Sequence, residues 1–198
     1  IAIAANPSSG SICILGMASV NATSCQVVQL EMALRKFLRG LRDHPFVTID
    51  SPFIPIVECN NNEIIAHSLV AVFSEYGPIF MPFVDVNFSV YITPGVGVWT
   101  SEDTKMASIQ IAYQAFLQGQ VTVADQLVTS GREAFEPRAK PMPPSELREL
   151  LRDQLHQFTQ AEDGKVTGKT EDGLNDDLGM AFLLAVYWRI CVMSRDPA

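Results

Sequence analysis

Apolar positions recur along this chain at two spacings, which divide it into strands and helices. Ile1–Ala5 and Ile12–Met17 are short apolar runs joined by Asn6-Pro7-Ser8-Ser9-Gly10, predicting a strand, a tight turn and a return strand. From Cys25 to Leu41 the period lengthens to that of a helix. Leu30, Leu34, Phe37, Leu38 and Leu41 share one face, and Arg35, Lys36, Arg39 and Arg42 lie off it. His44-Pro45 ends that helix. Phe53–Val57 reads as a short buried strand stopping at Glu58-Cys59-Asn60. Asn61 or Asn62 then caps a helix with Ile65, Leu69, Val72, Phe73 and Tyr76 on its core side, until Gly77-Pro78 breaks it. Ile79–Val84 and Phe88–Ile92 follow as strands.

Thr100-Ser101-Glu102-Asp103 has the composition of a capping box with acids in the first turn, opening a helix that runs to Gln118 and stops at Gly119. Val121–Val123 predicts a short strand. Gly131–Ser145, with Pro137, Pro141, Pro143 and Pro144, predicts a surface excursion, and Pro144 suits the first turn of a helix reaching Thr159. Ala161–Asn175 is polar and glycine-rich, the composition of a mobile loop. The last helix opens at Asp176-Asp177 and is apolar nearly all round, so it is expected to be buried. Internal repeats and low-complexity tracts are absent. Strands alternating with helices behind a hairpin predict an α/β domain with a mixed sheet.

Composition narrows the function. At 47% hydrophobic and 18% charged residues, the chain has the makings of a globular core. A net charge of −8 argues against a free-standing nucleic-acid binder, although carboxylates gathered around metal ions also make a domain acidic, and the ions reverse the local sign. Cys13, Cys25, Cys59 and Cys191 are scattered, with no CxxC pair and no zinc-ligand spacing, which predicts core thiols in a reducing, intracellular compartment. The longest apolar run, Leu178 to Trp188, falls short of the roughly 20 residues of a membrane span, and no signal peptide is visible; no membrane partner is expected. The chain opens directly in a strand without an initiating Met, so the expectation is a single domain over residues 1–198, excised from a longer protein.

Two places carry acids in apolar surroundings. Glu58 ends an apolar run, where a carboxylate is costly unless it is exposed, paired or metal-bound. Asp176 and Asp177 head the last helix. Both have plain structural explanations: a strand end facing water, and helix capping favoured by the macrodipole. Together, carboxylates ending the first strand, ending a middle strand and opening a late helix would line a pocket with oxygens. Such a pocket suits two Mg²⁺ or Mn²⁺ ions that cleave a phosphodiester in line. The first of these three places is occupied by Ala4. Asp85, in Phe83-Val84-Asp85-Val86, is a reserve ligand or a turn former. Ser8-Ser9-Gly10 either turns the hairpin or offers N–H groups to a phosphate. His44, His67 and His156 are dispersed and expected on the surface or on helix faces.

Four segments, in order and spanning most of the chain, resemble the C-terminal nuclease domain of viral large terminases, the DNA-packaging motor proteins of tailed phages and herpesviruses. Ile1-Ala2-Ile3-Ala4 with Asn6-Pro7 is similar to a first strand that in the family ends in Asp. Val57-Glu58-Cys59-Asn60 is similar to the family's Val-Glu-x-Asn. Val98-Trp99-Thr100 through Lys105-Met106 resembles its threonine- and lysine-containing helix start. Asn175-Asp176-Asp177-Leu178-Gly179-Met180-Ala181 resembles its closing Asp-Asp-Leu-x-x-Ala. The resemblance implies an RNase H-like mixed sheet opening with a β-hairpin and flanked by helices. It implies a metal-dependent endonuclease with two Mg²⁺ or Mn²⁺ ions, Glu58, Asp176 and Asp177 as metal ligands, and Lys105 steadying a phosphate or a ligand carboxylate. The plain alternative for Lys105 is a solvated residue of a helix's first turn.

By the same resemblance the activity is cleavage of concatemeric DNA during packaging. The implied partners are DNA, other terminase domains or subunits and the portal, in the cytoplasm of a bacterial host or the nucleus of a herpesvirus host. No Walker A motif occurs in the chain, so the ATPase half of a packaging motor is not in it. Ala4 either replaces a catalytic Asp by a deliberate substitution that traps uncleaved nucleic acid, the branch favoured by an otherwise intact pocket, or marks natural loss of cleavage. In both cases the chain as given is expected to be impaired. Alternatives are a Holliday-junction resolvase-like nuclease of the same fold and a non-catalytic DNA-binding or assembly module. Arg35, Lys36, Arg39 and Arg42, with Arg132, Arg138 and Lys140, are the local phosphate contacts expected from charge.

Overall fold

The computed structural model describes residues 2–5, 11–19, 26–58, 63–79, 92–93, 97–132, 140–160, 166–167 and 177–193. Strands β1 (Ala2–Ala5) and β2 (Ile12–Met17) pair antiparallel as the expected hairpin. Helices α1 (Val27–Arg42) and α2 (Glu63–Phe73) follow, then the short antiparallel pair β3 (Ile92–Thr93) and β4 (Gly97–Val98). Helix α3 (Glu102–Leu117), strand β5 (Val121–Val128) and helix α4 (Pro144–His156) lead to a second short pair, β6 (Thr159–Gln160) with β7 (Val166–Thr167). Helix α5 (Asp177–Met193) closes the order.

Strand β2 lies at the centre of a mixed sheet, antiparallel to β1 and parallel to β5. Side chains alternate across a strand, so β2 feeds two cores. Ile12, Ile14 and Met17 enter one with α3, α4 and α5, whereas Cys13, Leu15 and Ala18 enter the other with α1 and α2. Strand β5 divides the same way, Val121, Val123 and Leu127 against Ala124 and Val128. The result is three layers, helices on both faces of a sheet. Helix α5 is buried because Leu178, Phe182, Leu183, Val186 and Tyr187 are enclosed by the sheet, α3 and α4.

Several expectations are corrected. Phe53–Val57 is not a strand: Phe53 forms an isolated parallel bridge to Ile79, its N–H donating to Pro78 O at 2.8 Å. Pro52 and Pro55 supply no ladder donors, so regular pairing cannot propagate. The segment is nonetheless extended between the layers, with Phe53 and Val57 in the α1-side core and Ile56 in the α5-side core. Strand β5 runs five residues beyond Val123, to Val128, because its exposed Asp125 and Gln126 face water while Ala124 and Leu127 keep its burial. Helix α4 ends at His156, not Thr159, and the loop expected over Ala161–Asn175 contains β7. Gly131, expected in a surface excursion, is buried against α1, where a Cβ would lie 3.1 Å from Ala33 O. The strands expected over Ile79–Val84 and Phe88–Ile92 fall mostly on residues outside the described ones, as do Asp85 and Ser8-Ser9-Gly10.

His44 is buried, not at the surface. Its Nε2 lies 2.9 Å from Gln126 O and its Nδ1 accepts from Phe46 N–H at 3.2 Å, which fixes the tautomer with the proton on Nε2. It ties the end of α1 to β5.

Candidate functional site

The hairpin register decides where position 4 points the site. Ala2 pairs with Met17 and Ile3 with Gly16, then the register shifts so that Ala4 pairs with Ile14 and Ala5 with Cys13. Leu15 is passed over, which places Leu15 and Gly16 both on the α1 side. A Cβ on Gly16 would stand 2.8 Å from Phe37 Cζ, so glycine is what lets that bulge close onto α1. Directly paired residues share a face. Position 4 therefore lies on the same face as Ile14, the face covered by α5, and α5 packs on β1.

Of the acids expected to join it, Glu58 and Asp177 are described; Asp176 lies outside the described residues. Glu58 is exposed, two residues past Ile56, which packs in the α5-side core. Asp177 is the first residue of α5 and is exposed, where the helix macrodipole favours a negative charge. Lys105 sits in the first turn of α3, its Nζ 3.2 Å from Glu102 Oε1. This is a local i,i+3 pair, as a first-turn lysine makes without any site. Ser101 caps α3 as expected, its Oγ accepting from Thr104 N–H at 3.2 Å.

The head of α5 is held by a residue that sequence reasoning passed over. Gln154 of α4 is buried, and its Oε1 accepts from Gly179 N–H at 2.7 Å. That N–H belongs to the first turn of α5 and has no partner within its own helix. Gly179 is needed for the approach: a Cβ there would lie 3.1 Å from Phe158 Cε2 and 3.3 Å from Gln154 Cβ. The signal was legible, since Gln154 continues the buried i, i+4, i+7 row of Leu147 and Leu151, where a polar side chain must find a partner. Gln154→Leu should destabilise the chain by about 1–3 kcal/mol, the cost of a buried N–H left unpaired. Urea denaturation reads it, and a change under about 0.5 kcal/mol would mean that water reaches Gly179 N–H.

The cations of α1 are engaged in folding. Arg35 pairs with Glu75 at 2.8 Å and Glu31 at 3.2 Å, and its guanidinium holds the Glu75 carboxyl below the usual carboxylate range. Arg42 donates to the carbonyls of Tyr76 (2.7 Å), Thr48 (2.7 Å) and Ser51 (3.0 Å) and stacks over Phe53. Both lie on the layer opposite α5. Among the described residues, no group of three or more His, Cys, Asp or Glu comes together to hold a metal. Of the expected donors, Glu58 and Asp177 are the two described, and alanine at position 4 supplies no oxygen from its side chain.

No family model matches the chain, and no curated protein matches it. Among solved structures, the human cytomegalovirus terminase nuclease domain, in an Mn-soaked and inhibitor-bound form, is similar to it. The TM-score is 0.53 and the identity 18%, over 90% of this chain and 71% of that one. The chain has a terminase nuclease-type, RNase H-like fold: a mixed sheet opened by a hairpin and covered by helices on both faces.

Proposed function

We propose that this chain is the endonuclease domain of a viral DNA-packaging terminase, cleaving concatemeric DNA inside the infected cell, and that alanine at position 4 impairs it. The observation that carries the reading is the register, which puts position 4 on the face covered by α5 in a terminase nuclease-type fold. On this reading Glu58, Asp176 and Asp177 are the remaining metal ligands, and two Mg²⁺ or Mn²⁺ ions are the cofactors. Manganese was soaked into the similar cytomegalovirus domain, which supports the choice of ion. Lys105, with two of its three N–H donors beyond the Glu102 contact, would steady a phosphate. DNA, further terminase domains or subunits and the portal are the partners. Plasmid cleavage by the chain and by its Ala4→Asp variant, in Mn²⁺ and in Mg²⁺, is the test.

A second reading has one observation in its favour, Ala4 itself: a DNA-binding or assembly module that keeps the fold without cleavage. The natural gene separates the two. An Asp codon at position 4 supports the nuclease and an Ala codon supports the module.

A further inference from the structure

Between α3 and α4 the surface opens into a cavity of about 540 Å³, its wall completed by Phe182 and Leu183 of α5 and by Phe158 beside Gly179. Its floor is apolar, built from Ala112, Leu151 and Leu183 with Phe116 stacked on Phe182 at 5.7 Å between ring centroids. Helix α3 leaves Tyr113 (60% exposed) and Phe116 (46%) along one edge of it. A cleft of this size and lining is the ordinary form of a binding site.

The opposite edge is basic. Arg148, Arg152 and His156 of α4 all line the cavity and are all exposed. They stand at i, i+4 and i+8, so their stems repeat about every 6 Å along α4. Arg148 spends one N–H on Ala124 O at 2.7 Å, and Arg152 makes an exposed contact to neighbouring Asp153 at 3.4 Å. Neither contact takes the guanidinium out of solvent. On a chain of net charge −8, the described lining of the cavity holds two arginines and no carboxylate.

We propose that this cleft docks an amphipathic helix of a partner protein, its apolar stripe against Phe116 and Phe182 and a row of Asp or Glu along Arg148, Arg152 and His156. Acids at i, i+4 and i+8 of such a helix repeat at the spacing of the basic row, and its apolar residues fall on the adjacent face. A lipid brings one anionic group to one end of a pocket and leaves the rest of the basic row unused. Duplex DNA would meet the cations but set its phosphates against an aromatic floor that cannot hydrogen-bond them. This inference is independent of the nuclease reading.

Fluorescence anisotropy tests it on the whole chain, with a labelled helix-forming peptide of about 16 residues carrying Leu at i, i+3, i+4, i+7 spacing and a flanking row of Glu. The peptide should bind with a dissociation constant of order 10 µM, and a version with Lys for Glu should bind at least about tenfold more weakly. Arg152→Glu with His156→Glu should weaken binding about tenfold, and so should Tyr113→Asp. All three positions are exposed, so these variants fold. Absence of binding at about 100 µM, equal binding of the Glu and Lys peptides, or indifference to both sets of variants overturns the proposal. So does equal or tighter binding, through the same residues, of phosphatidylglycerol vesicles or a DNA duplex.

Discussion

Ala4→Asp should turn an almost inert chain into one that nicks and linearises plasmid DNA in Mn²⁺ or Mg²⁺, with a rate gain of about 100-fold or more. That scale is what an active site loses when a group stabilising developing charge is removed. The physical basis is the donor count. Position 4 is paired with Ile14 on the α5-covered face, so on the proposed reading a carboxylate there adds a third kind of anionic donor to Glu58 and the Asp176/Asp177 pair. Divalent ions of this class take oxygen donors, and anionic ones above all. Ala4→Asn isolates the charge, since it restores size and a neutral oxygen; it should recover a small fraction of the Asp gain. Ala4→Asp with Glu58→Ala should be inert again, as should Ala4→Asp with Asp176→Asn and Asp177→Asn together. Isothermal titration with Mn²⁺ should follow the same order, which separates lost ion binding from lost DNA binding. If Ala4→Asp stays inactive with every metal and DNA form, or if the chain with Ala4 already cuts well, the assignment of position 4 is wrong.

The site was legible in the sequence where local chemistry and position coincide. Asp177 could be placed because a Gly-rich stretch runs into an apolar helix, and the helix does begin at that residue. Ser101 and Gly119 bounded α3 for similar reasons, a cap at one end and a residue at φ +65° just past the other. The face on which position 4 lies was not legible, because it depends on a register shift at Leu15 that no hydrophobic pattern marks. Nor were the partners of buried polar groups. Arg42 and His44 read as surface cations of an amphipathic helix and its end, because periodicity reports which face is apolar and not which carbonyls lie unpaired across a layer. The apolar run Phe53–Val57 reads as a strand, but Pro52 before it and Pro55 within it remove ladder donors. With isolated bridges at Phe53 and Glu58 and no ladder between them, that segment depends also on its side chains.

Arg42 is the residue that holds it, and Arg42→Ala should cost about 3 kcal/mol. Three carbonyls, on Thr48, Ser51 and Tyr76, lose a charged donor, and Phe53 loses the guanidinium 4.3 Å from its ring centroid. A charge-assisted bond contributes about 1.5–3 kcal/mol, but water reaches part of this half-buried cluster and returns some of it. Arg42→Lys should recover less than half, since one ammonium cannot meet three carbonyls in the fixed fork of a guanidinium. Gly77 completes the arrangement: its φ of +150° is rarely adopted by other residues, and a Cβ there would collide with the Arg42 guanidinium. Gly77→Ala should therefore cost at least about 2 kcal/mol, and the double variant less than the sum, because removing the guanidinium relieves the collision while the backbone strain persists. Urea denaturation measures the totals. Hydrogen exchange gives the place: the Phe53 N–H, bonded to Pro78 O, should lose protection in Arg42→Ala beyond the global change, while β2 amides follow the global change alone. Uniform loss across both would make Arg42 an ordinary contributor to stability. Selective loss at Phe53 would identify it as the clamp on the segment that ends at Glu58.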